Sequence, residues 1–143
     1  MEIKRRGSAR WSGGLKDGKG SISTQSGALK DLQYGFGTRF ENGPGTNPEE
    51  LIGAAHAGCF TMALSSILGE EGLVATQLDT SAAVTLKRSA QGFEISAVHL
   101  TLEGKVPNTD AETFQRLAQK AKDNCPVSKL LKADISLEAK LLS

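Results

Sequence analysis

The sequence is poor in aromatic side chains. Phe, Trp and Tyr together make 5% of 143 residues, so a core has to be built from aliphatic side chains and alanine. A small core of that kind gives a chain a motive to bury further surface against a partner. Charge imbalance is also missing. A formal net charge of +1 and a pI near 7.8 give no electrostatic reason to bind nucleic acid or an anionic membrane. The opening residues MEIKRRG carry no apolar signal segment, and the expectation is a cytoplasmic protein in a reducing compartment. GTRFENGPGTNPEE bears glycines but lacks the Gly-Lys-Ser/Thr ending of a phosphate-binding loop. Cysteine and histidine are scarce, at two each: Cys59 and Cys125, His56 and His99. They do not show the paired spacings of a zinc site, and the expectation is no metal and no other cofactor. Two cysteines in a reducing compartment point to redox or metal chemistry before a static disulfide.

What is present centres on 47–72, NPEELIGAAHAGCFTMALSSILGEEG. Asn47 is a good N-cap, Pro48 suits the first helical position, and Glu49 and Glu50 favour the positive end of the helix dipole. Gly69 and Gly72 are stop signals. Between residues 51 and 68 there is no Asp, Glu, Lys or Arg. An uncharged helix is buried on all sides or crosses a membrane. The Ala, Gly and Ser content, the histidine and the isolation of the segment favour burial, so no membrane association is expected.

Around this helix, 2–11 and 19–26 read as two strands joined by SGGLKDG, with a third strand at 33–40. Residues 41–46 are a loop. Residues 80–87 and 93–102 alternate around SAQG and form a hairpin. Residues 108–124 read as a helix with Thr109 or Asp110 as cap, 127–132 as a short helix, and 134–142 as a closing strand. Strands that come in runs predict an α+β fold with mainly antiparallel sheets and a long buried central helix. The length fits a single domain, residues 1–143.

Cys59 sits in the middle of the uncharged helix, as packing or as a reactive thiol. Cys125 directly precedes Pro126, which makes it a cap residue facing unpaired N–H groups, a setting that favours a thiolate. The two are 66 residues apart, so only the fold can unite them. If it does, one sulfur can be oxidised to a sulfenic acid and the other can condense with it. His56, three residues before Cys59, reads as a packed histidine, as half a metal site, or as the base of a nucleophile–base pair. The last reading makes the chain a cysteine hydrolase or acyltransferase. A non-enzymatic dimeric small-molecule binding protein with merely packed cysteines is the third class. Arg39 is a solvated arginine or a partner that lowers a thiol pKa. Glu49 is a helix-start carboxylate or an orienter gripping a guanidinium at two points.

YGFGTRFENGPGTNPEELIGAAHAGCFTMALS, the later AKDNCPVSKLL, the early WSGGLKDGKGSISTQSG and the final KADISLEAKL closely resemble the OsmC/Ohr family, on its OsmC side. The resemblance covers essentially the whole chain. It implies a cytoplasmic thiol peroxidase acting on organic hydroperoxides, and less on hydrogen peroxide, built as an intertwined homodimer. By position, Cys59 matches the peroxidatic thiol, Cys125 the resolving thiol, and Arg39 and Glu49 the polar partners of the thiolate. No cofactor is implied; electrons would come from a dithiol, with a lipoyl-type one as a candidate. Glu49 and Cys59 lie ten residues apart, about 15 Å along one helix. Two copies of the helix crossing antiparallel near Ala54, midway between them, would set Glu49 of one chain level with Cys59 of the other.

Overall fold

The computed structural model describes residues 1–143. The chain divides into two compact units, residues 1–51 and 52–143.

In the first unit, β1 (Gly7–Ser12), β2 (Lys19–Thr24) and β3 (Leu32–Tyr34) form an antiparallel sheet in that order. Trp11 lays its ring edge-on to Tyr34, with centroids 5.6 Å apart. The strand expected over 33–40 is shorter than its alternation implied. It ends at Tyr34, and Phe36–Phe40 forms a one-turn helix, α1. Thr38 causes the switch. The Gly35 N–H donates to its Oγ1 at 2.8 Å, and that hydroxyl donates back to the Gly35 carbonyl at 3.0 Å, closing a turn that a strand cannot hold.

Helix α2 (Pro48–Glu70) begins and ends on the residues its sequence marks. Asn47 Oδ1 accepts the Glu50 N–H at 2.8 Å, as an N-cap does. At the other end the Leu73 N–H reaches the Leu68 carbonyl at 2.9 Å and the Gly72 N–H reaches the Gly69 carbonyl at 3.0 Å. Gly72 has φ +73 with nothing near its missing side chain. This is a Schellman stop, and it needs a residue at ease in the left-handed region. Gly72→Ala should therefore cost about 1 kcal/mol through backbone strain alone. Thermal unfolding should show a midpoint lowered by roughly 4 °C, with no change in the site described below.

The second unit is built on β4 (Gln77–Ser89), β5 (Gly92–Lys105) and β6 (Asp134–Leu141). β4 and β5 pair antiparallel around the tight Ser89–Gly92 turn, and β6 joins β5 parallel. The sheet is thus mixed rather than wholly antiparallel. β6 follows helices instead of a strand, and the crossover through α3 (Ala111–Asn124) and α4 (Pro126–Leu130) returns the chain in the direction of β5. Asp110 caps α3 by accepting the Thr113 N–H at 2.7 Å.

β5 supplies the middle of the core, with Val98, Leu100 and Leu102 buried in alternation. Phe60, Leu64 and Leu68 of α2 and Phe114, Leu117, Ala118 and Ala121 of α3 pack with them. Phe114 seats on Gly104, where a Cβ would meet its ring at 2.6 Å. Length and composition alone would let α2 cross a bilayer, yet one stripe of it enters this core. The expectation of burial on all sides is not met in the single chain. Ala54, Ala55, Gly58, Met62, Ser65 and Ser66 are exposed. Missing charge signals missing solvent-adapted side chains, and that does not tell a face covered by the same chain from one left bare.

Candidate active site

The second unit brings the two cysteines together. Cys59 lies mid-way along α2, and Cys125 ends α3 and caps α4. Their side chains are neighbours, close enough for the Cys125 thiol to act on the Cys59 thiol, and both are free. Their surroundings differ. Cys59 is half-buried, whereas Cys125 is fully buried in the core cluster. The first residue is open in part to its surroundings and the second is closed off from them.

The Cys125–Pro126 pair predicts helix-start N–H groups at the Cys125 sulfur. The structure corrects this. Cys125 makes no side-chain cap hydrogen bond, and the backbone N–H of Val127, in the first turn of α4, serves the Cys59 sulfur instead. Burial pushes the Cys59 thiol above its ordinary range, and the Cys125 thiol alongside pushes it further. The Val127 N–H pulls it back. Within this unit the balance opposes ionisation.

His56 stands one turn before Cys59 and is completely buried. Its Nε2 lies 2.8 Å from Ser128 Oγ on α4, and its Nδ1 has no partner. Burial lowers its pKa and keeps the imidazole neutral. Neither ring nitrogen is bonded to the Cys59 sulfur, so the hydrolase reading loses its base. Ser128 was not singled out from sequence. Its only signal is spacing: it follows Cys125 by three positions, as Cys59 follows His56. His99 lies apart from this cluster, with Nδ1 2.6 Å from Ser136 Oγ on β6 and Nε2 3.8 Å from Glu138. No three His, Cys, Asp or Glu side chains converge on a point where a metal ion would sit.

Arg39 and Glu49 meet within the first unit. Arg39 Nε and Nη2 each lie 3.1 Å from a separate oxygen of Glu49, a two-point grip. Glu49 is nearly buried and Arg39 half-exposed. Asn47 ties their helices together. Its Nδ2 donates to the Thr38 carbonyl at 3.0 Å and also to the Glu50 carboxylate, while Oδ1 caps α2. The guanidinium also lies 5.6 Å from the centre of the Phe40 ring. It borders a cavity of about 190 Å³ whose other walls include Trp11, Leu15, Tyr34 and Phe36.

Known proteins share this arrangement of elements. The chain is 54% identical over 143 residues to peroxiredoxin OsmC of Escherichia coli (strain K12), covering all of both chains. It is 28% identical over 123 residues to the organic hydroperoxide resistance protein OhrB of Bacillus subtilis (strain 168), covering 85% of this chain and 88% of that one. The crystal structure of Bacillus subtilis OhrB superposes with a TM-score of 0.71 at 27% identity, over 97% of this chain and 98% of that one. An OsmC-like protein of Mycoplasma pneumoniae, 16% identical with a TM-score of 0.73 over the whole of both chains, shares the fold. The model of the OsmC-like protein family matches residues 41–140, and the chain belongs to that family.

Proposed function

We propose that the protein is a thiol-dependent peroxidase that reduces organic hydroperoxides by a two-cysteine cycle. The observation that carries this reading is the contact between an accessible Cys59 and a buried, free Cys125. The Cys59 thiolate attacks the terminal oxygen of the hydroperoxide, forming a sulfenic acid as the alkoxide leaves and takes a proton to become the alcohol. The Cys125 thiol then displaces hydroxide from the Cys59 sulfur, giving a disulfide and water. A dithiol reduces that disulfide by exchange, with a lipoyl-type dithiol as a candidate. The aromatic cavity beside Arg39 supports an organic substrate over the water-like hydrogen peroxide.

The first step needs an ionised thiol and a positive group near the leaving charge. Since burial raises the Cys59 pKa, a cation has to offset it. Arg39, held by Glu49, is that cation in this reading. The protein works as a cytoplasmic homodimer of one OsmC-like domain, residues 1–143. The exposed, uncharged face of α2 supports two copies of that helix crossing near Ala54. Arg39 and Glu49 of one subunit then complete the site around Cys59 of the other.

Thiol titration before and after one equivalent of cumene hydroperoxide tests the cycle. Both thiols should be lost together, with an intramolecular Cys59–Cys125 disulfide in the mass spectrum. Cys125→Ser should consume one equivalent and stop, leaving a sulfenic acid that dimedone traps. A stable acyl adduct on Cys59 with ester substrates, or slow oxidation of both thiols without pairing, would refute the reading.

A further inference from the structure

His56 is the largest buried polar side chain the mechanism above does not use. Its position relative to the thiols is specific. His56 and Cys59 are one turn apart on α2 and share a face. Cys125 and Ser128 are likewise three residues apart at the start of α4. The pairs meet rung to rung: Cys59 touches Cys125, and His56 Nε2 lies 2.8 Å from Ser128 Oγ.

α4 is five residues long and buries none of its own residues fully. A single turn has little stability of its own, so contacts must hold the Cys125 segment in place. Val127 and Leu131 give it apolar packing against the core. Beside the Val127 N–H at the Cys59 sulfur, the polar contact from α4 to α2 that joins two side chains is the His56–Ser128 rung. Packing does not explain a histidine here. Its Nδ1 is buried without a partner, a cost that an apolar residue of similar volume would avoid.

We infer that His56 and Ser128 are positioning residues for resolution: their hydrogen bond locks α4 in the register that presents the Cys125 sulfur to oxidised Cys59. The inference rests on the two-cysteine reading above. The step it serves is Cys59–SOH + Cys125–SH → Cys59–S–S–Cys125 + H₂O. An S–S bond forms, the S–O bond breaks, and the hydroxide leaves as water with the thiol proton. Disulfide geometry is demanding, with Cβ atoms roughly 3.5–4.5 Å apart and a torsion near 90°. A segment free to rotate about one rung meets that demand only a fraction of the time.

The test separates the two chemical steps by rapid mixing with cumene hydroperoxide. Ser128→Ala should form the sulfenic acid within about twofold of the unsubstituted rate and close the disulfide about tenfold more slowly, a loss of effective concentration. The sulfenate should accumulate and pass to sulfinic acid at lower peroxide. Ser128→Thr, which keeps a hydroxyl, should restore closure. His56→Leu should match Ser128→Ala, and the double variant should close no more slowly than either single one, because the two act as one unit. Equal slowing of both steps, or closure at the unsubstituted rate in Ser128→Ala, overturns the inference while the cycle stands. Should His56→Leu fail to fold, the serine pair, which alters only a hydroxyl and a methyl, still decides. Absence of a disulfide in the unsubstituted protein overturns the peroxidase reading and this inference with it.

Discussion

Cys59→Ser should abolish peroxide turnover, to below about 10⁻³ of the parent rate, because a hydroxyl at neutral pH supplies no nucleophilic anion to accept the peroxide oxygen. Consumption of cumene hydroperoxide in the presence of a dithiol measures it. The contrast with Cys125→Ser is the informative part. Loss of the buried thiol leaves the first oxidation intact, so one equivalent disappears in a burst; loss of Cys59 removes the burst as well. The asymmetry follows from burial, since Cys125 is sealed in the core and Cys59 is not. Folding should survive, because the exchanged atom sits at a half-exposed helix position. A Cys59→Ser protein that still shows a burst would move the reacting sulfur to Cys125 and reverse the assignment.

Arg39→Gln should slow sulfenic acid formation by about 10²–10³, the range seen when one preorganised donor to a developing anion is removed. Two effects are combined in that loss, and pH separates them. Burial raises the pKa of Cys59, and in the proposed dimer the Arg39 guanidinium of the other subunit would lower it again. Without the guanidinium the pKa rises, and at fixed pH each unit of rise costs about tenfold in thiolate. That part of the defect should shrink as pH increases. Lost stabilisation of the leaving alkoxide should persist at every pH. Glu49→Gln keeps the cation and loosens its aim, so its defect should be smaller. Subunit mixing then tests where the site is completed. When Cys59→Ser and Arg39→Gln chains are combined, a site shared across the dimer regenerates about a quarter of the intact sites, by random pairing of subunits. A site contained in one chain regenerates none.

Much of both units could be read in the residues themselves. The start and stop of α2, the hairpin around SAQG and the Asp110 cap are all local features, and local features leave local signs. The boundary between β3 and α1 could not be read, because QYGFGTRF alternates like a strand and its turn depends on one threonine hydroxyl. The direction of β6 was equally hidden, since alternation is the same in parallel and antiparallel pairs. Cys125 was visible as a cap residue, but the direction of its side chain was not. The sequence therefore points the helix-start N–H at one sulfur, and the fold brings it to the other. Ser128 sits in PVSKL with no periodicity or charge to mark it, and only its three-dimensional pairing with His56 gives it meaning.

Asn47 shows what such pairing can do at a distance from any reacting atom. Its amide laces the end of one short helix to the beginning of a long one, and the arginine–carboxylate fork hangs between those two fixed points. Side-chain disorder that a long cation would otherwise lose at each encounter with a ligand is already lost when the chain folds. In the proposed site the fork is therefore set before any guest arrives, and its field would act from the moment of contact.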